Sequence, residues 1–229
     1  MNIFNKITSV VNMVGITFSK RYASNVAKSF WSKTKVTHGS MDESNFDFYA
    51  KELIKLIGNV KGLRILDYGA GGGQISKRFT QAGAEVHAVE FVEHFIQDIQ
   101  NLGIKAFLPN EIPENTKYDV IVMNNAFFYV HPKEHLELLK WFHSHLSANG
   151  RLLLTDVPDF EKRHILYNSG IQQRILLWLT SYLPVYQPEL SGFFIDFNKL
   201  INISNKVGFS KSESIDSWCD YRSHLISTK

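Results

Sequence analysis

Cysteine is almost missing from this 229-residue chain. Cys219 stands alone, which excludes an intrachain disulfide and any zinc site built on several thiolates. A reducing cytoplasm is the compartment this usage implies. No run is long and apolar enough to span a bilayer. The net charge of +3 is small, and basic residues are scattered apart from Lys20-Arg21 and Lys33-Thr34-Lys35, so no nucleic-acid partner is expected. Low-complexity tracts and internal repeats are missing too. What is left is the composition of a soluble globule, 44% hydrophobic and 21% charged, of a length that suits one α/β domain with a modest appendage.

The first residues also lack what a secretory signal needs: a basic start, an unbroken apolar core and a small-residue cleavage site. From Met1 to Phe18, Ile3, Phe4, Ile7, Val10, Val11, Val14 and Phe18 fall mostly on one helical face. Two readings stand: a helix that covers the domain or its ligand, and a helix that lies on a membrane surface. The second would place the protein peripherally at the inner face of the membrane.

The informative stretch is Arg64-Ile65-Leu66-Asp67-Tyr68-Gly69-Ala70-Gly71-Gly72-Gly73, followed by Glu85-Val86-His87-Ala88-Val89-Glu90. A short apolar strand ends at a carboxylate, a glycine turn follows, and a helix opens at Gln74. Glycine lets a ligand approach the backbone closely. The second strand delivers Glu90 to the same sheet edge, where open α/β sheets bind ligands. A dinucleotide site wants G-x-G-x-x-G with pyrophosphate against the helix N-terminus. Here the spacing is D-x-G-x-G-x-G, and Asp67 would repel a phosphate but attract a cationic amino acid.

Strands alternate with helices along the chain. A capped amphipathic helix is expected from Met41 to Asn59, with Phe46, Tyr49, Leu53, Ile54 and Ile57 on its apolar face and Gly58 as its stop. Strands are expected at 64–67, 85–90, 104–108, 118–124 and 151–155, and helices at 74–82, 91–101 and 134–146. A helix at 196–207 precedes two further strands near 209–215 and 221–227. This order predicts a doubly wound, mostly parallel seven-stranded sheet with helices on both faces and an antiparallel edge near the C-terminus. Residues 1–43 are read as an N-terminal helical cap and 44–229 as the main domain, interrupted at about 157–194 by a less regular, aromatic insertion (Tyr167, Trp178, Tyr182, Tyr186, Phe193, Phe194).

Leu66-Asp67-Tyr68-Gly69-Ala70-Gly71-Gly72-Gly73 with Glu90 resembles the first two motifs of the class I S-adenosylmethionine-dependent methyltransferases, and Leu146 to Leu154 resembles a later loop-Gly-strand element of that family. The resemblance implies a Rossmann-like fold and S-adenosylmethionine as cofactor. It implies cofactor contacts from Asp67 (near the ammonium), Gly69, Ala70, Gly71, Gly73, Glu90 (on the ribose hydroxyls), Phe91 and Asn124. For the adenine, Asn110 and Glu111 are the polar residues at hand, and a backbone contact is an alternative. The family position that faces the methyl group falls at Asn124-Asn125-Ala126-Phe127-Phe128-Tyr129-Val130-His131. It has no Asn-Pro-Pro-Tyr, so nucleobase or glutamine amines lose support as acceptors.

Tyr129, His131 and Asp156 are the candidate catalytic residues, to orient or deprotonate an acceptor hydroxyl. Asp159 ranks behind Asp156, which leaves its strand directly; turn chemistry around Pro158 competes for both. His131 and His135 have i, i+4 spacing, but His143 and His145 point to different helix faces, and no metal is expected. The function these residues imply is methyl transfer to a small-molecule or glycan-type acceptor, on oxygen. A silent cofactor-binding module and a methyltransferase of a lipid or quinone precursor are the alternatives.

Overall fold

A computed structural model describes residues 43–166 and 193–229. The N-terminal segment and most of the insertion, with Tyr167, Trp178, Tyr182 and Tyr186, lie outside the described residues. Helix α1 (Glu43–Ile57) precedes strand β1 (Arg64–Tyr68), α2 (Gln74–Gln81), β2 (Glu85–Val89), α3 (Glu93–Asn101) and β3 (Lys105–Phe107). Then come β4 (Tyr118–Asn124), two short 3-10 turns (Phe127–Tyr129 and Pro132–Glu134), α4 (His135–His145) and β5 (Leu146–Pro158). A short α5 (Arg163–Leu166), α6 (Phe197–Val207), β6 (Lys211–Asp216) and β7 (Arg222–Thr228) complete the described chain.

The seven strands form one sheet in the order β3-β2-β1-β4-β5-β7-β6. Pairing is parallel from β3 to β5; β7 runs antiparallel to both β5 and β6. The reversed strand thus lies one place in from the edge, and β6 takes the edge itself. Chain direction reverses its winding between β1 and β4, so the carboxyl ends of β1, β2, β4 and β5 surround the crevice where ligands of such sheets bind.

Alternation along β1 shows how the layers form. Ile65 packs into a core with Leu53, Ile57, Phe79, Ile99, Val120 and Val122, which joins α1, α2 and α3 to one face. Leu66 and Tyr68 face the other way, among Ile121, Met123, Leu139, Phe142, Leu154 and Leu200, under α4 and α6. A central strand buried on both faces needs no polar alternation, which is why 118–124 is a continuous apolar run. Strand β5 begins earlier than its apolar pattern: Leu146 already pairs with Tyr118, and an irregularity precedes the pairing of Arg151 with Val120. Ser147 ties that irregularity down by donating to Asp119, 3.1 Å.

The glycine turn has a packing reason at its last position. Gly73 caps α2 with φ 76°, and a Cβ there would lie 2.8 Å from Cγ1 of Ile99 on α3. Gly73→Ala is therefore expected to cost about 1–3 kcal/mol through positive φ and overpacking. Thermal unfolding should show a loss of roughly 3–10 °C. An unchanged midpoint would refute this account of Gly73.

Candidate active site

The site begins where β1 ends. Asp67 is buried, and its Oδ2 accepts the hydroxyl hydrogen of Ser76 on α2 at 2.5 Å. Its pKa is pushed up to about 6, chiefly by burial and further by the charge of Glu90, with the Ser76 hydrogen bond opposing. Glu90, just past β2, is buried as well. Its Oε2 accepts the Gly71 N–H at 2.7 Å, and its Oε1 accepts those of Phe91 (2.6 Å) and Val92 (3.1 Å). Burial raises its pKa, and the three backbone donors pull it back. Among the described residues no Lys or Arg forms an ion pair with either carboxylate. Two buried acidic groups, one raising the other, with neutral donors and only the weak influence of His94 on Glu90 to offset their charge, form a site that attracts a cation.

The glycine turn lies between them. Gly69 and Ala70 donate to the Val89 carbonyl at 2.8 and 3.0 Å, which stitches the turn to β2. At Gly69, φ 81°, a Cβ would come 3.0 Å from the Cβ of Ala126, so the turn is pressed against the chain leaving β4. Phe91 is half-buried, edge-on to Tyr68 at 5.6 Å. Beyond β3, Asn110 and Glu111 are both exposed, and Glu111 closes its own turn by accepting the Leu108 N–H at 2.9 Å.

At the β4 exit, Asn124 is buried and its Oδ1 accepts the Thr155 hydroxyl hydrogen at 2.9 Å. The chain then turns through Asn125, φ 51°, into the 3-10 turn that carries Tyr129. His131 caps the next turn: its Nδ1 accepts the Lys133 N–H at 3.1 Å, and its ring meets Phe193 edge-on at 5.3 Å. That bond places the imidazole proton on Nε2, and burial lowers the pKa, which keeps the ring neutral at pH 7. In this tautomer Nε2–H is the ring's donor.

The histidines do not converge. His135 is buried with Nε2 3.2 Å from the Val130 carbonyl, His143 meets Phe209, and His145 stacks on Trp141. Among the described residues no three His, Cys, Asp or Glu side chains gather as a metal site would require.

Asp156 has a local cause that sequence reading missed. Leu154 pairs with Leu225 but Val157 with Ser223, so Thr155 and Asp156 together oppose His224. This is a β-bulge, which re-aims a side chain, and Asp156 takes φ 55° in it. Its N–H donates to His224 Nδ1 at 2.9 Å, and its carboxylate receives Ser217 (2.9 Å) and Arg222 (3.1 Å). Burial raises its pKa, and Arg222 is the main opposing influence. Asp159 is likewise occupied, accepting the Ser223 hydroxyl hydrogen at 2.7 Å and the Glu161 N–H at 2.9 Å. The consecutive residues Arg222, Ser223 and His224 thus serve the two aspartates of Asp156-Val157-Pro158-Asp159. That complementarity is the signal the sequence offered, although only the bulge puts the groups in reach.

A sequence family described as a methyltransferase domain matches residues 41–191. A protein of Staphylococcus carnosus (strain TM300), described as an uncharacterized methyltransferase, is 29% identical over 111 residues, 47% of this chain and 53% of its own length. The chain thus spans about half the length of that relative. Among solved structures, the magnesium protoporphyrin IX methyltransferase of Synechocystis PCC 6803 with bound SAH superposes with a TM-score of 0.58 at 15% identity, over 96% of this chain and 99% of the other. The 1,6-didemethyltoxoflavin-N1-methyltransferase of Burkholderia thailandensis gives 0.58 at 17% identity, over 89% and 86%. The fold, with its antiparallel C-terminal strands, is theirs, and the family match covers well over half of the sequence. The chain belongs to the methyltransferase-domain family and has the Rossmann-like fold of these structures.

Proposed function

We propose that this protein methylates an oxygen of a small-molecule or glycan-type acceptor. The observation that carries the donor half is the pair of buried carboxylates, Asp67 and Glu90, with no Lys or Arg ion pair among the described residues. The residues fit a ligand that brings an ammonium, a sulfonium and a ribose but no phosphate. When bound, S-adenosylmethionine supplies a methyl carbon on positively charged sulfur.

Asp67 receives the ammonium, and its ionised form is the competent one. Glu90 turns oxygens toward the ribose hydroxyls while its hold on Gly71, Phe91 and Val92 keeps the carboxylate fixed. The glycine turn 69–73 would lie beside the amino acid part of the cofactor, and Asn124 would contact the cofactor at the β4 exit.

On the acceptor side Tyr129 and His131 orient the attacking hydroxyl, His131 as an Nε2–H donor. Asp156, committed to Arg222 and Ser217, positions rather than abstracts. Two charges on this side are matched within the protein, Asp156 by Arg222 and Lys162 by Asp216, which supports a neutral acceptor. The half-buried ring of Tyr129 suits contact with an acceptor ring. The porphyrin and toxoflavin methyltransferases among the structural relatives act on small molecules by their names, which favours the same class here. Catalysis then rests on near-attack positioning of the two reactants, the acceptor hydroxyl gaining the methyl carbon as that carbon's bond to sulfur breaks and releasing its proton to water.

The direct test is transfer of labelled methyl from S-adenosylmethionine to a panel of phenols, catechols and sugars. Label in a base-stable ether supports the reading; label only on amines overturns the oxygen assignment. Binding of S-adenosylhomocysteine without transfer to any acceptor favours a silent module.

Two further outcomes are expected of the donor site. Glu90→Ala removes charged hydrogen bonds and should weaken S-adenosylhomocysteine binding by about 10- to 100-fold in calorimetry. Asp67→Asn should weaken cofactor binding about tenfold yet raise the unfolding midpoint of the free protein at pH 7.5. The sign follows from linkage. The Asp67 pKa rises on folding from 3.8 to about 6, so its contribution to stability is fully present below the unfolded value and lost as pH rises through the folded one. Above pH 6 the buried charge costs about 2–3 kcal/mol, which an amide avoids. Cofactor affinity in the wild type should do the opposite, climbing between pH 5 and about 7 and then levelling. A flat pH profile would show that Asp67 does not meet the ammonium.

A further inference from the structure

We propose that Arg222 is a positioning residue for the cofactor pocket, acting on the glycine turn through Asn125 and Ala126. The proposal rests on reading residues 67–73 and Glu90 as that pocket. The Arg222 side chain is almost wholly buried where β4, β5 and β7 meet. Its Nη1 donates to three oxygens: Oδ1 of Asn125, the Asp156 carbonyl (2.8 Å) and Oδ2 of Asp156 (3.1 Å). Its Nη2 donates to the Tyr221 hydroxyl at 3.2 Å, and the guanidinium lies 5.4 Å from the centre of the Phe128 ring.

Charge balance alone needs only Asp156. The bond to Asn125 does something different. Asn125 and Asp156 are non-glycine residues with φ 51° and 55°, at the exits of neighbouring strands. Left-handed backbone at such residues persists where surrounding contacts over-determine it. Here one guanidinium nitrogen holds both, and the Asn125 N–H is further tied to the Thr155 carbonyl at 2.9 Å.

The next residue, Ala126, is the neighbour that leaves no room for a Cβ at Gly69. Its carbonyl also accepts the Tyr129 N–H at 3.0 Å. Arg222 therefore sets Asn125, Asn125 sets Ala126, and Ala126 is the wall against which the glycine turn rests. A rigid surrounding shell of this kind is what holds a binding site to its working geometry.

The test needs no acceptor. S-adenosylhomocysteine affinity by calorimetry and thermal unfolding are measured on the wild type, Asn125→Gly, Arg222→Lys and the double variant. Asn125→Gly keeps the positive φ without strain and leaves the Asp156–Arg222 pair intact, so it folds. Arg222→Lys keeps the charge but loses the fork. Arg151→Ala is the control: Arg151 braces the Leu56 and Ile57 carbonyls at the C-terminus of α1, at the other end of β5.

Each single variant should weaken binding at least about fivefold, and the double variant no more than the worse single one, as coupled residues do. Arg151→Ala should lower the unfolding midpoint with affinity held within about twofold. Wild-type affinity in both single variants, or losses that multiply in the double, overturns the proposal. If the wild type itself does not bind S-adenosylhomocysteine, the pocket reading falls and this proposal with it.

Discussion

The burial of Asp67 and Glu90 without a cation is the constraint on which the rest of the site depends. Transferring a lone carboxylate from water into a protein interior is costly unless donors meet it. The chain meets Glu90 with three backbone N–H groups and Asp67 with one hydroxyl. These donors fix the two groups in place, yet they leave negative charge to be matched. The site is built around that mismatch: the free protein is less stable for it, and a cationic ligand removes the penalty. A stable unliganded site would need a lysine nearby, and that lysine would compete with the ligand.

That Asp67, the glycines and Glu90 come together was legible because they are close in sequence. Asp67, the glycines and Glu90 span a single β1–α2–β2 unit, and their spacing alone argues the carboxylates to one sheet edge. The strand order followed from the alternation of apolar runs with amphipathic helices. The acceptor side read less well because its partners are far apart in the chain. Asp156 looked like a free carboxylate leaving a strand; its ion pair with Arg222 depends on the antiparallel pairing of β5 with β7 and on a bulge within it. Nothing local in Thr155-Asp156-Val157 announces a bulge, although Asp tolerates the left-handed conformation it imposes.

Glycines show a similar division between ligand and fold. All those in the turn looked like ligand-facing positions. Gly73 proves to be excluded from bearing a side chain by Ile99, and Gly69 by Ala126. The first is a matter of packing α2 against α3, the second of pressing the turn against the β4 exit. Glycine motifs of this type therefore carry two demands at once, close approach of ligand and close approach of neighbouring backbone, and a sequence alone does not apportion them.

Charge is distributed unequally across the crevice, and that inequality bears on recognition. On the donor side Asp67 and Glu90 have no Lys or Arg partner among the described residues, so a cationic ligand fits there better than a phosphate-bearing one. On the acceptor side Asp156 meets Arg222, Lys162 meets Asp216, and Asp159 is met by a hydroxyl and an amide. The two ion pairs offer an incoming molecule little net field, so under the proposed reading selection there falls mainly to shape and single hydrogen bonds. Electrostatics of the matched kind still matter, but as construction: the Asp156–Arg222 pair spends its strength on two strained strand exits. One half of the crevice is thus specific through charge left unpaired, the other through geometry that paired charge maintains.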